Sequence, residues 1–287
     1  MANLKEIRNR IASVSSTMQI TSAMKMVSAA KLKKAQDAIT AMRPYANKLT
    51  ELLQSLSASL DGDTGSVFAN QREVKKVLLV AITSNRGLAG AFNSNIIKEA
   101  SLLATNTYAN HQVDIVTIGK KGNDILGKSN TIVFNNNEIF DDLTFDNTSI
   151  IAQKLMDLYA DGSYDKIVLV YNHFKNAATQ IILTEQFLPI VSEETDEKIT
   201  VTDYIFEPSK AEIVEALIPK SLKTQLFKAL RDSSASEHGA RMTAMHKATD
   251  NATELKESLT LEYNKARQAA ITNEILEIVG GAEALAG

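Results

Sequence analysis

Apolar residues recur at intervals of three and four through the first part of the chain, at Leu4, Ile7, Ile11, Val14 and Met18. That spacing brings the same helix face round at every turn and is the seam period of a coiled coil. The stripe then shifts through Ile20, Met24 and Val27. Beyond it the residues expected to face a partner become small: Ala23, Ala29, Ala30, Ala35 and Ala38. Alanine is the best helix former and is small enough to let two helix axes approach closely. Pro44 is expected to kink or relax the helix near Arg43. Leu49, Leu52, Leu53, Leu56 and Leu60 resume an apolar face, and the run from Asp61 to Gly65 is expected to end it.

The far end of the chain reads the same way. From about Lys220 to Val279 only Gly239 disturbs a helical composition, and Gly280-Gly281 offers a C-terminal stop. A helix of that length would be a rod of roughly 90 Å. Met245, Ala248, Ala252, Leu255 and Leu259 step by three and four, and Ala266 and Ala269 continue the stripe. So thin a stripe leaves an isolated helix marginal in water, so it needs a partner stripe. The N-terminal helix supplies one, and an antiparallel pair is the economical geometry. The alternative is two helices packed separately on a globular core.

Between the two, short extended runs alternate with helix-like ones. Val77–Ile82 is a continuous apolar run of the kind found in buried parallel strands. Helix-like residues 92–104 follow, then the strand Val113–Ile118, a glycine-rich stretch, Thr131–Phe134, helix-like residues 148–160 and Ile167–Tyr171. Gln180–Leu188 and Ile199–Phe206 are two more extended runs. That order predicts a small Rossmann-like α/β domain with helices on a mostly parallel sheet.

Breakers and charge mark the boundaries. None of the 12 glycines falls in residues 1–61, eight lie between Gly62 and Gly162, and no proline follows Pro219. Residues 1–61 carry nine basic and four acidic side chains, residues 62–209 carry 12 and 19, and residues 210–287 carry 10 and 11. The chain therefore reads as an N-terminal coiled-coil helix (1–61), a central α/β domain (62–209) and a C-terminal coiled-coil helix (210–287). With no cysteine, disulfides, thiolate metal sites and a cysteine nucleophile are excluded. The longest apolar run, Val77–Ile82, falls far short of the roughly 18 residues of a membrane span. Lys5, Arg8 and Arg10 are not followed by the apolar segment of a secretory signal. A soluble, intracellular chain is expected.

Candidate chemistry is sparse. Thr83-Ser84-Asn85-Arg86-Gly87-Leu88-Ala89-Gly90 follows a strand and opens a helix, where a phosphate loop would sit. It lacks the third glycine of G-x-G-x-x-G and the Gly-Lys-Ser/Thr of a P-loop, and reads instead as a tight turn. Gly119-Lys120-Lys121-Gly122 is a weaker version. The histidines His111, His173, His238 and His246 are scattered without a second ligand at helical spacing. No serine or threonine has a nucleophile's context. Lys31, Lys33 and Lys34 lack interleaved aromatics, so a solvated helix face or a protein contact is expected rather than nucleic acid. No catalytic residue, cofactor or metal is expected.

Three stretches together resemble a known family. The first is Ile7-x-x-Arg10-Ile11-x-Ser13-Val14-x-x-Thr17-x-x-Ile20-Thr21-x-Ala23-Met24-x-Met26-Val27. The second is the turn from Thr83 to Gly90. The third is the last part of the chain: Ser236-Glu237, Ala240-Arg241-Met242, Ala248-Thr249-Asp250-Asn251-Ala252, Tyr263-Asn264-Lys265-Ala266-Arg267-Gln268 and Ile271-Thr272-x-Glu274-x-x-Glu277-Ile278-Val279-x-Gly281-Ala282. In order and over the whole length they resemble the gamma subunit of the bacterial F-type ATP synthase. Ala89 stands where many relatives have cysteine, and the cysteine-bearing regulatory insert of the chloroplast type is not present.

The resemblance implies a central rotor shaft, itself non-catalytic, that couples proton-driven rotation of a membrane ring to ATP synthesis or hydrolysis elsewhere. Implied partners are three alpha and three beta subunits around the terminal coiled coil, with the epsilon subunit and the membrane rotor ring at the foot. No direct membrane insertion is implied, and the complex would lie on the cytoplasmic face of the bacterial inner membrane. Matching positions imply that Arg267, Gln268, Thr272 and Glu274 contact loops of the beta subunits. Met24 and Arg241 match a neighbouring pair lower on the shaft, and Tyr204 and Glu207 match part of the foot near the ring. A generic coiled-coil scaffold is the alternative.

Overall fold

The computed structural model describes residues 4–58, 67–70, 72–190 and 210–286. They form two compact units, Met1–Ser28 with Met242–Gly287, and Ala29–Arg241.

The Ala29–Arg241 unit is built on a five-stranded sheet. Strand β1 (Lys76–Ile82) is central, with β2 (Gln112–Ile118) and β4 (Lys166–Phe174) parallel to it on either side. Strand β3 (Ile132–Asn136) lies parallel outside β2, and β5 (Gln180–Leu188) runs antiparallel outside β4, giving the order β3-β2-β1-β4-β5. Every side chain of β1 from Val77 onward is fully buried, because helices cover both faces. Leu78, Val80 and Ile82 face Ile151, Leu155, Met156 and Tyr159 of a helix at Phe145–Ala160 together with Ile218, Leu222, Leu226 and Ala229. Val77, Leu79 and Ala81 face Ile96 and Ala100 of a helix at Phe92–Leu102. That alternation is the period-two geometry of a strand buried on both sides.

The extended runs of the sequence are these strands, to within three residues at each end, while Ile199–Phe206 lies outside the described residues. Among the described residues one α-helix escapes the sequence reading: the glycine-rich stretch contains a short helix at Lys120–Leu126. It starts at Gly119, whose φ of +107° and position against Thr83 explain the glycine, since a Cβ would lie 2.3 Å from the Thr83 carbonyl oxygen. In chain order the helices are α1 (Leu4–Ala58), α2 (Phe92–Leu102), α3 (Lys120–Leu126), α4 (Phe145–Ala160) and α5 (Lys210–Ala286).

The C-terminal helix runs longer than its breakers suggest. Helix α1 is one element across Pro44, and α5 begins before Pro219 and passes through it. The expected stop at Gly280-Gly281 is not one, as α5 continues to Ala286. Glycine weakens a helix interior by only about 1 kcal/mol, and neither Gly280 nor Gly281 meets a competing atom there.

The register of the terminal unit also departs from the apolar pattern. Ile7 is buried and Leu4, Ile11, Val14 and Met18 are half-buried, as the spacing predicts. The stripe does not then shift to Ile20 and Val27, which are 60% and 57% exposed, nor to Ala23. It keeps its period through Thr21 and Ser28, both buried. Thr21 accepts a 2.9 Å hydrogen bond from Thr249, Thr253 donates to the Met18 sulfur at 3.4 Å, and Arg8 donates to the Tyr263 hydroxyl at 2.9 Å. On α5, Met245, Ala252 and Leu259 are buried as expected, whereas Leu255 and Ala269 are exposed. The two helices thus lie antiparallel, with short hydroxyls on much of the seam. Of the small residues expected to face a partner further along, Ala35 is buried, Ala29 and Ala38 are half-buried, and Ala30 is exposed.

Candidate subunit-contact surface and the strand-to-helix turn

The turn after β1 is held by its own polar groups. Thr83 and Ser84 are fully buried. The Ser84 amide donates to Asn93 Oδ1 at 2.9 Å, and the Ser84 hydroxyl donates to the Arg86 carbonyl at 2.6 Å. Across the sheet end, the Lys120 amide donates to Asn85 Oδ1, the Lys121 amide to the Ser84 carbonyl and the Gly122 amide to Thr83 Oγ1. A phosphate loop works by turning such amides toward an anion. Here the amides of Ser84, Lys120, Lys121 and Gly122 are directed to partners inside the fold. Leu88 and Gly90 have φ of +62° and +57°, so the chain reverses sharply there.

Arg241 approaches the same turn from α5. Its guanidinium donates to the carbonyls of Arg86 and Gly87 at 3.2 and 3.4 Å and pairs with Glu237 at 2.6 Å. Burial pushes the Glu237 carboxyl up from its usual range, opposed by Arg241, Lys31 and Arg86. Burial also brings His238 down to about 4, and the nearby charges of Arg241 and Lys31 push the same way. Glu237, His238 and Arg241 therefore form a desolvated polar patch one helical turn long. The sequence names Glu237 and Arg241 only through the family resemblance and His238 only as a scattered histidine, and does not bring the three together; the polar run Arg231–Glu237 inside the helix was their shared signal.

Arg267, Gln268, Thr272 and Glu274 all lie on α5 and are all exposed. Thr272 follows Gln268 by four residues and donates its hydroxyl to the Gln268 carbonyl at 2.9 Å. Glu274 follows Arg267 by seven, two turns along the same side. They are joined by Ile271, Ile275, Leu276, Ile278 and Val279, which are 48% to 71% exposed and spread over roughly half the circumference. An apolar surface that wide on a helix is the mark of one that is buried by something else.

Met24 is half-buried in the Met1–Ser28 unit and Arg241 is buried in the other. Tyr204 and Glu207 lie outside the described residues. Lys31, Lys33 and Lys34 are exposed, with Lys33 paired to Asp37. His246 is an exposed partner of Asp250, and His173 pairs with the buried Asp232 at 2.7 Å. No described helix is long and apolar enough to cross a membrane.

Residues 3–285 match the family model described as ATP synthase. The chain is 72% identical over 287 residues to the ATP synthase gamma chain of Flavobacterium psychrophilum, covering all of both chains. Its fold is similar to the central stalk in the Tetrahymena thermophila mitochondrial ATP synthase, with a TM-score of 0.59, 27% identity, and coverage of 80% of this chain and 99% of that one. It is also similar to the rotor of the Euglena gracilis mitochondrial enzyme, with a TM-score of 0.70, 22% identity, and coverage of 93% and 98%. With a family model matched over nearly the whole length and gamma chains matched end to end, this chain belongs to the ATP synthase gamma-chain family.

Proposed function

We propose that the chain is the central rotor shaft of an F-type ATP synthase and performs no chemistry itself. The full-length match to gamma chains carries this reading. In it the terminal coiled coil enters a ring of three alpha and three beta subunits, while the α/β domain forms the foot beside the epsilon subunit and the membrane rotor ring. The segments 1–61, 62–209 and 210–287 divide the labour between shaft and foot. The complex lies on the cytoplasmic face of the bacterial inner membrane, and rotation driven by proton flow presents different faces of the shaft to each beta subunit in turn. Coupling then consists of differential contact with alternative states of those subunits.

Exposed Arg267, Gln268, Thr272 and Glu274 offer donors and acceptors for beta-subunit loops, and the apolar end of α5 supplies a surface to bury. Met24 and Arg241 act lower on the shaft, and Tyr204 and Glu207 act at the foot. A generic coiled-coil scaffold would need neither the sheet domain nor a family match over its whole length.

Co-purification tests the reading. The chain should come down with alpha and beta subunits and stimulate their ATPase activity, and failure to do either overturns it. Within the complex, charge-assisted hydrogen bonds of about 1.5–3 kcal/mol make Glu274→Lys expected to lower ATP turnover about tenfold and to weaken assembly. Nucleotide affinity of the beta sites should stay near that of the parent, and Lys128→Glu on the exposed α/β surface should do much less.

A further inference from the structure

An open doubly wound sheet takes its ligands outside the carboxyl ends of its strands, where the strand order reverses. In this sheet the reversal falls between β1 and β4, because the chain adds β2 and β3 on one side of β1 and then returns to add β4 on the other. That crevice is filled by the chain's own helix. The Asn172 side-chain amide Nδ2, just past the parallel pairing of β4, donates to the Phe92 carbonyl at the start of α2 at 3.2 Å. The Ser236 hydroxyl on α5 donates to the Asn172 carbonyl at 3.1 Å, with Asn172 and Ser236 essentially without solvent contact. Phe92, Ala89 and Ala240 close the mouth as a small apolar cluster. One turn along from Ser236, Gly239 meets the loop after β4 so closely that a Cβ would lie 3.1 Å from the Ala177 carbonyl oxygen.

The polar contacts continue down one side of the helix. Asp232 pairs with His173, and Gln225 donates to Glu185 Oε1 at 2.7 Å and to the Gln186 carbonyl at 3.1 Å. Glu185 is itself held by the Tyr171 hydroxyl at 2.7 Å. Gln225, Asp232, Ser236 and Gly239 are spaced seven, four and three apart, which is one helix face. Apolar contacts such as those of Leu222, Leu226 and Ala229 tolerate small sliding. Hydrogen bonds and a backbone-to-backbone approach hold only at one rotation of the helix about its axis.

Resting on the rotor reading above, we propose that the crevice serves as a torque-bearing socket. In it Asn172, Ser236 and Gly239 key α5 to the sheet and carry torque between the foot and the rest of the helix. They are positioning residues, acting on catalysis elsewhere only through the angle of α5.

The test is single-molecule rotation of the assembled catalytic head, immobilised, with a bead attached at exposed position 128 of the foot and ATP supplied. Ser236→Ala removes one hydrogen bond, Asn172→Ala removes the side-chain link to Phe92, and Gly239→Val wedges the seam. At low drag all should rotate like the parent. As bead size increases, the variants should slip and stall at a drag at least twofold below the parent's, with ATP hydrolysis of the head nearly unchanged. Leu126→Ala, buried on α3 and outside the contacts of the crevice, is the control for lost stability. It should lower the melting temperature without changing the stall drag. If Ser236→Ala and Asn172→Ala both stall where the parent does, the socket bears no torque and the inference is overturned. If the parent bead does not turn at all, it is the rotor reading that fails.

Discussion

The two units of this chain are stabilised in different ways. In the Ala29–Arg241 unit, six consecutive residues of β1 have no solvent contact, and Leu155, Met156 and Tyr159 pack on them with none either. Close packing of that kind selects a single arrangement, because each missing methylene leaves a void. In the unit of Met1–Ser28 with Met242–Gly287, Ile7, Met245, Ala252 and Leu259 are the buried apolar residues among those described. The rest of that seam consists of half-buried side chains, the buried Ser28 and the Thr21–Thr249 pair, while large apolar groups such as Ile20, Met26 and Ile278 face outward. One unit completes its own core. The other leaves much of its apolar surface for something else to cover, which suits a shaft inside a ring.

The sharpest way to break that contrast is a matched pair of truncations. Leu155→Ala should cost about 4 kcal/mol of stability, read as a lower urea midpoint, while Ile7→Ala should leave the main unfolding transition nearly where it was. Equal losses would mean that the two regions share one cooperative core. Next comes the desolvated ion pair. Arg241→Ala strips Glu237 of its partner and the turn carbonyls of their donor, at about 3 kcal/mol in chemical denaturation. Glu237→Gln in the same background should recover part of it, because the uncompensated charge is then gone.

The hydroxyl seam should matter less. Thr21→Val or Thr249→Val alone should cost about 1 kcal/mol, and the double variant little more than either one, since neither partner is then left unsatisfied. A double-mutant cycle on thermal unfolding of the terminal helices measures this directly. The smallest effect concerns acid. His238 stays neutral in the folded chain down to about pH 4 but takes up a proton near pH 6.5 when unfolded. Its contribution is therefore present above pH 6.5 and lost as pH falls from 6.5 toward 4. His238→Asn should flatten the decline of the urea midpoint across that window, and an unchanged slope would rule the residue out as a source of acid sensitivity.

Much of this was legible in the amino-acid order. Strands β1, β2, β4 and β5 and the antiparallel terminal helices follow from period and composition, because local burial patterns repeat at 2 or about 3.6 residues whatever lies around them. Helix α3 was hidden, since three glycines in and beside it argue against a helix until the close approach to Thr83 shows why at least Gly119 and Gly122 are there. Pro44 reads as a kink, and about Lys220 and Gly280-Gly281 as the two ends of the last helix, yet α1 is one element across Pro44 and α5 runs through Pro219 and both glycines. The polar residues of α5 proposed as subunit contacts come only from the resemblance. Solvent-facing side chains such as Arg267 and Glu274 carry no periodic signal of their own.

What the chain determined by itself is its elements and the sides they bury, because the hydrophobic effect acts on every apolar position without reference to a partner. Which residues fill the seam, and what occupies the sheet's crevice, only the tertiary structure decided. Thr21 and Ser28 lie inside while Ile20 and Val27 lie outside because a straight helix keeps its period even where hydrophobicity departs from it. Asn172 and Ser236 sit at the crevice, far apart in sequence. A hydrogen bond between them exists only once sheet and helix are both in place, so no local pattern could have announced it.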